Sequence, residues 1–147
     1  MKQEWLEYLR LISLPERLYS IVENKIKEVQ SIFDVEISKI FVSNRLTEQG
    51  VSFMSLWLFS DDKAYECKEF LSSDDYDTVY TRKNVVYVNI KKTNYPNLES
   101  PQENSNLSGT CYLGTANLSC SFNAVGENCI YLLNLLKSEY ISNVKTI

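Results

Sequence analysis

The sequence contains no histidine. That absence removes Ser-His-Asp triads, Cys-His nucleophiles, histidine-assisted zinc sites and histidine general bases. Any catalysis would have to run on carboxylates, lysine, tyrosine or cysteine. Glycine is also scarce, with four residues in 147. Neither a G-x-G-x-x-G nor a P-loop spacing is present, so a backbone cradle for nucleotide phosphates is not expected. Long hydrophobic runs are missing. The stretches "SFMSLWLF", "NVVYVNI" and "CIYLLNLL" fall short of the ~18 residues that a spanning helix needs, so no stable membrane insertion is expected. The first helical stretch carries Glu4, Glu7 and Arg10, which interrupt the apolar core that a signal peptide requires. A cytoplasmic protein is the expectation, and the Asn106 and Asn117 triplets then carry no meaning for glycosylation. Positive charge is in deficit: 15 Lys and Arg stand against 19 Asp and Glu, for a net charge of −4. Such a field repels phosphate backbones, so no nucleic-acid partner is expected.

What is present is a well-patterned globular chain. Length and composition fit one domain over residues 1–147. Trp5, Leu6, Leu9 and Ile12 recur at helical spacing. "SLPE" then reads as a new start, with Ser13 as cap, Pro15 in the first turn and Glu16 closing a capping box. A second helix to about Phe33 follows from the stripe Leu18, Ile21, Val22, Ile26, Val29, Ile32 and Phe33. After Asp34 the period becomes strand-like. Strands are predicted at 35–42, 51–60, 64–70, 78–82, 84–92, 109–115 and 117–125, with loops at 45–50 and 71–77. The strand 51–60 is apolar on both faces, which predicts a central position. Residues 93–108 hold two of the three prolines and little apolar content, and predict a long flexible loop. A last helix is predicted over 126–144, with Cys129, Leu132, Leu133, Leu136 and Tyr140 buried.

Strands that follow one another without intervening helices pair through hairpins. The fold class is therefore α+β. A helical N-terminal extension (1–34) of two helices precedes a bent antiparallel sheet of about seven strands, and a C-terminal helix packs on that sheet (35–147). The order "NVVYVNI", "TCYLGT", "LSCSFNAV" and "ENCIYLLNLLKSEYI" resembles the end of a pleckstrin-homology-like domain, of the bacterial PH or GRAM type. That resemblance implies a strongly bent seven-stranded sheet closed by a single helix. It spans roughly residues 35–144 and rests on element order. The family's C-terminal tryptophan has no counterpart, since both tryptophans, Trp5 and Trp57, lie elsewhere. Phosphoinositide-binding members carry a basic cluster near the first hairpin. Here Lys39 and Arg45 stand beside Glu36 and Glu48, so a lipid headgroup is not implied.

Four groups of residues invite a functional reading. Cys111, Cys120 and Cys129 fall nine residues apart, which matches neither zinc-ligand pairs nor a C-x-x-C redox motif. Reduced, buried side chains are expected, so no metal and no cofactor are assigned. Asp61 and Asp62, with Asp74, Asp75 and Asp77, lack the Gly and terminal Glu of a calcium loop and read as solvated turn acids. Arg82, Lys83, Lys91 and Lys92 flank one strand, either as an anion site or as edge protection. Among the ten tyrosines, Tyr65, Tyr76, Tyr80, Tyr87, Tyr95 and Tyr112 lie on strands and loops, where they fit both sheets and interfaces.

No catalytic residue emerges. The expected function is a non-enzymatic protein-binding module of pleckstrin-homology-like type. The alternative is an acidic masking protein, such as a toxin-immunity protein or secretion chaperone, that neutralises one protein partner. One structural consequence is testable at once. Leu132→Asp places a charge in the predicted core and is expected to cost more than about 4 kcal/mol. Urea unfolding followed by circular dichroism would show the loss, and an unchanged midpoint would place Leu132 outside the core.

Overall fold

A computed structural model describes residues 1–72, 74–114 and 118–144. The expected turn at Thr115–Ala116 lies outside the described residues. Three α-helices and seven strands follow one another: α1 (Gln3–Leu11), α2 (Tyr19–Phe33), β1 (Lys39–Thr47), β2 (Gly50–Phe59), β3 (Lys63–Lys68), β4 (Tyr76–Thr81), β5 (Val85–Thr93), β6 (Asn106–Leu113), β7 (Ser119–Val125) and α3 (Asn128–Glu139). The fold is α+β with antiparallel sheets. The strands form two sheets, not the single sheet expected: β1-β2-β3-β4 and β5-β6-β7. Pairing neighbours by hairpins specifies the order within a sheet, but not where one sheet ends.

The chain divides into two compact units: residues 1–43 with 53–80, and residues 44–52 with 81–147. In the first unit the helix α2 buries Val22, Ile26 and Val29. Ile32, placed in the stripe by spacing, is 60% exposed. Asp34 ends α2 in the left-handed region, its N–H bonded to the Gln30 carbonyl. Gln30 then takes two further amides, Val35 N–H on its carbonyl and Ile37 N–H on Oε1 (3.2 Å). Val35 and Ile37 therefore spend their amides on the helix end, and β1 starts at Lys39 and not at Val35. Ser13 does not cap the next helix. It adopts φ 60°, and the 3-10 turn Glu16–Leu18 that leads into α2 has no side-chain capping bond.

The end strand β1 is closed by α1. The Tyr8 hydroxyl accepts Val42 N–H (3.0 Å) and donates to the Val42 carbonyl (3.4 Å), occupying one outward pair of an edge that would otherwise invite pairing. Strand β2 lies between β1 and β3. Its last five residues, Ser55 to Phe59, are all buried, as an apolar run on both faces predicts.

The second unit is built on the β6 alternation. Leu107, Gly109, Cys111 and Leu113 are buried, while Ser108, Thr110 and Tyr112 are half-buried. A Cβ on Gly109 would lie 2.6 Å from Leu136 Cδ1, so glycine here lets α3 approach the sheet. Gly126, at φ +60°, turns β7 into α3, and its N–H bonds the Ser105 carbonyl. Ser105 also holds the 94–105 connection together. Its hydroxyl donates to the Asn94 carbonyl (2.6 Å) and accepts Gln102 N–H (2.8 Å).

The tip of the β1–β2 hairpin belongs to this second unit, and Asn44 is what fixes it there. Asn44 Oδ1 accepts Val125 N–H (3.0 Å) and Asn128 Nδ2 (2.9 Å), and its carbonyl accepts Asn123 Nδ2 (2.7 Å). Asn123 also exchanges bonds with Asn106 and Ser108. Asn44 and Asn128 are buried, so these polar groups have no water to fall back on. Asn44→Ala removes the Oδ1 that accepts Val125 N–H and Asn128 Nδ2. The expected loss is about 2–6 kcal/mol, at roughly 1–3 kcal/mol for each of the two bonds. Urea unfolding checks this; a loss under ~1 kcal/mol would mean the network is not structural.

Candidate functional site

The titratable cluster of the first unit is centred on Lys25. This side chain lies on the buried face of α2 and is 6% exposed. It forms an ion pair with Asp75 and lies 3.4 Å from Asp77 and 3.5 Å from Glu28. Burial alone would lower the Lys25 pKa, but the Asp75 hydrogen bond and the charges of Asp77, Asp75 and Glu28 outweigh it and raise it. In turn the Lys25 ammonium holds the Asp75 carboxyl below its usual value. Two of the predicted turn acids, Asp75 and Asp77, are thus drawn into a structural ion cluster that ties α2 to β4. Lys25 was legible only as a cation inside an apolar stripe.

Asp61 and Asp62 line a different feature, an open groove of about 380 Å³ in the first unit, together with Lys2, Asp34 and Glu36. Among the described residues, no group of three or more His, Cys, Asp or Glu could hold a metal ion. All four cysteines are buried thiols outside any disulfide. Cys129 Sγ donates to the carbonyls of Ser105 (3.4 Å) and Ala124 (3.5 Å), and burial pushes its thiol up to about 11. Its position near the start of α3 therefore does not produce a reactive thiolate.

The basic group divides. Arg82 is buried and forms an ion pair with Glu139 at the end of α3. Lys83, Lys91 and Lys92 are exposed. Consecutive side chains on a strand point to opposite faces, so Lys91 and Lys92 flank the end of β5 on both sides.

β5 is the unusual element. It is an end strand of its sheet, paired to β6 from Val85 to Thr93 with a bulge at Val86. Val85 is buried, yet Val86, Tyr87 and Ile90 are 52%, 48% and 37% exposed. The 3-10 turn Ile141–Asn143 lies against β5 and adds the exposed Ile141. The register places Tyr87, Asn89 and Lys91 opposite Tyr112, Thr110 and Ser108, on the sheet face turned away from the buried β6 residues. Tyr87 and Tyr112 stack there, with centroids 4.2 Å apart and planes 17° off parallel. The remaining predicted tyrosines do other work. Tyr65 and Tyr95 are buried, Tyr80 donates to Glu66 (3.2 Å), and Tyr76 lies under the Lys68 ammonium.

Residues 78–98 hold Arg82, Lys83, Lys91 and Lys92 and no acidic residue, within a chain of net charge −4. With Arg82 neutralised by Glu139, the exposed cations concentrate at β5. The surface therefore combines a strand edge that no other strand pairs among the described residues, apolar side chains, an aromatic pair and local positive charge. No family model, no curated protein and no solved structure matches the chain.

The Lys25 cluster yields a pH dependence. A depressed Asp75 contributes stability that is present above the unfolded value of ~3.9 and lost as pH falls through the folded value. A raised Lys25 contributes below ~10.4 and loses its contribution as pH rises through the folded value. Asp75→Asn is expected to lower the urea midpoint at neutral pH, with the gap to wild type closing below about pH 4. A gap that stays constant with pH would remove Asp75 from the acid response.

Proposed function

We propose that this chain is a non-enzymatic interaction module that binds an extended, acidic segment of a protein partner along the outer edge of β5. The exposure of β5 carries the reading. A strand of nine residues ends its sheet with Val86, Tyr87 and Ile90 in solvent, where an uncommitted edge would ordinarily be shortened, covered or charged. An added strand takes its affinity from the unpaired backbone groups and its selectivity from alternate side chains. Lys91 and Lys92 at one end of β5 favour carboxylates on the incoming strand and speed its approach. What supports a pleckstrin-homology-like module is the order of elements: strands in unbroken succession, then one helix.

A masking role toward a basic client is the second reading. The groove rimmed by Asp34, Glu36, Asp61 and Asp62 favours it, on a different unit from β5. The two readings separate by experiment. Selection of displayed peptides on the immobilised full chain is expected to enrich acidic, aliphatic sequences. Their binding should slow hydrogen exchange at β5 amides, weaken with salt, and fall about tenfold, or 1.4 kcal/mol, in K91E/K92E. Enrichment of basic sequences that leave β5 exchange unchanged would overturn the edge reading in favour of the masking one.

A further inference from the structure

The second unit contains a pair of cysteines that its sheet register sets face to face. Cys111 on β6 and Cys120 on β7 are direct antiparallel partners. Partners in such a ladder have Cα atoms roughly 4.5–5.5 Å apart, inside the ~4.4–6.8 Å range that a disulfide spans. Directly opposed residues also share one face of the sheet. Both thiols are therefore on the core side, with Leu107, Leu113 and Phe122, and both are buried. Each is a thiol outside any disulfide. The other two cysteines have no such arrangement. Cys67 stands opposite Leu56 in a different sheet, and Cys129 points its thiol at the carbonyls of Ser105 and Ala124.

We propose that Cys111 and Cys120 are a cross-strand dithiol site, converted to an intramolecular disulfide by a two-electron oxidant of the hydroperoxide class. In the first step one thiolate attacks a peroxide oxygen. The O–O bond breaks, leaving a sulfenic acid and one water once protons are counted. The facing thiolate then attacks that sulfur, the S–O bond breaks, and a second water leaves. Two thiols and one hydrogen peroxide give one disulfide and two waters, with sulfur oxidised and peroxide oxygen reduced. The resting dithiol is protected. Burial, then the neighbouring Cys120, push the Cys111 thiol well up, so little thiolate exists while the sheet is closed. β7 is an end strand of its sheet, and opening of that strand gates the reaction. The device therefore responds to sustained oxidant, and closure ties β6 to β7 covalently.

The test uses the full chain, incubated with hydrogen peroxide under native conditions, alkylated in denaturant, and read by intact mass and peptide mapping. The expected result is loss of two of the four thiols and a single linked peptide pair joining Cys111 to Cys120. Dithiothreitol should restore all four. C120S should form no link to Cys111, while C67S and C129S should still form it. Four thiols persisting after prolonged exposure would overturn the proposal, as would a link involving Cys67 or Cys129 or a link between chains. The wild-type peptide map decides the matter even where a variant fails to fold.

Discussion

One asparagine holds the second unit together. Asn44 offers three lone-pair contacts, two at Oδ1 and one at its carbonyl, to donors on Val125, Asn128 and Asn123. Those donors are the last amide of β7, the first residue of α3 and the side chain that bridges β6 to β7. A single side chain thereby fixes the strand-to-helix corner. Aspartate would present the same acceptors but bury a charge, and a longer amide would displace the hairpin tip. The corner in turn positions Cys129 and Gly126 against Ser105, which closes the long connection between β5 and β6. β5 stands at the other end of that connection and ends its sheet.

Two of the end strands, β1 and β5, show how differently one chain can treat a sheet edge. At β1 a tyrosine hydroxyl from α1 occupies both polar groups of Val42. At β5 the apolar Val86, Tyr87 and Ile90 are in solvent, with lysines at the end. Edge protection by lysine is a familiar device, and Lys91 and Lys92 stand where it would act. Under the proposed edge reading the same charges admit a strand of opposite sign. Protection and selectivity are then one property of the surface.

Much of the fold was legible from period alone. On α2 the burial of Val22, Ile26 and Val29, the central β2, the strand β5, and on α3 the burial of Cys129, Leu132 and Leu136 all follow from spacing. What period missed has specific causes. β1 was shifted because the end of α2 takes the amides of Val35 and Ile37. Its continuation through Arg45 to Thr47 was hidden by polar residues. The role of Lys25 depends on Asp77, 52 residues away, and that of Asn44 on partners about 80 residues away; no local pattern encodes either. "NVVYVNI" reads as an apolar strand, yet the structure exposes Val86, Tyr87 and Ile90 on it. That mismatch between apolar sequence and solvent exposure was invisible before the fold, and it is what makes β5 a candidate surface.

The hairpin tip at residues 44–52 gives the second unit a discontinuous sequence. A chain cut before Thr81 would carry every strand and helix of that unit after the tip, but not the acceptors for Val125 and Asn128. During synthesis Asn44 emerges 79 to 84 residues before the groups it binds. It must wait, solvated, until those groups are made. Contacts of such sequence separation are closed late and slowly. The second unit is thus a lock whose key is made first, and its folding is timed by the arrival of α3.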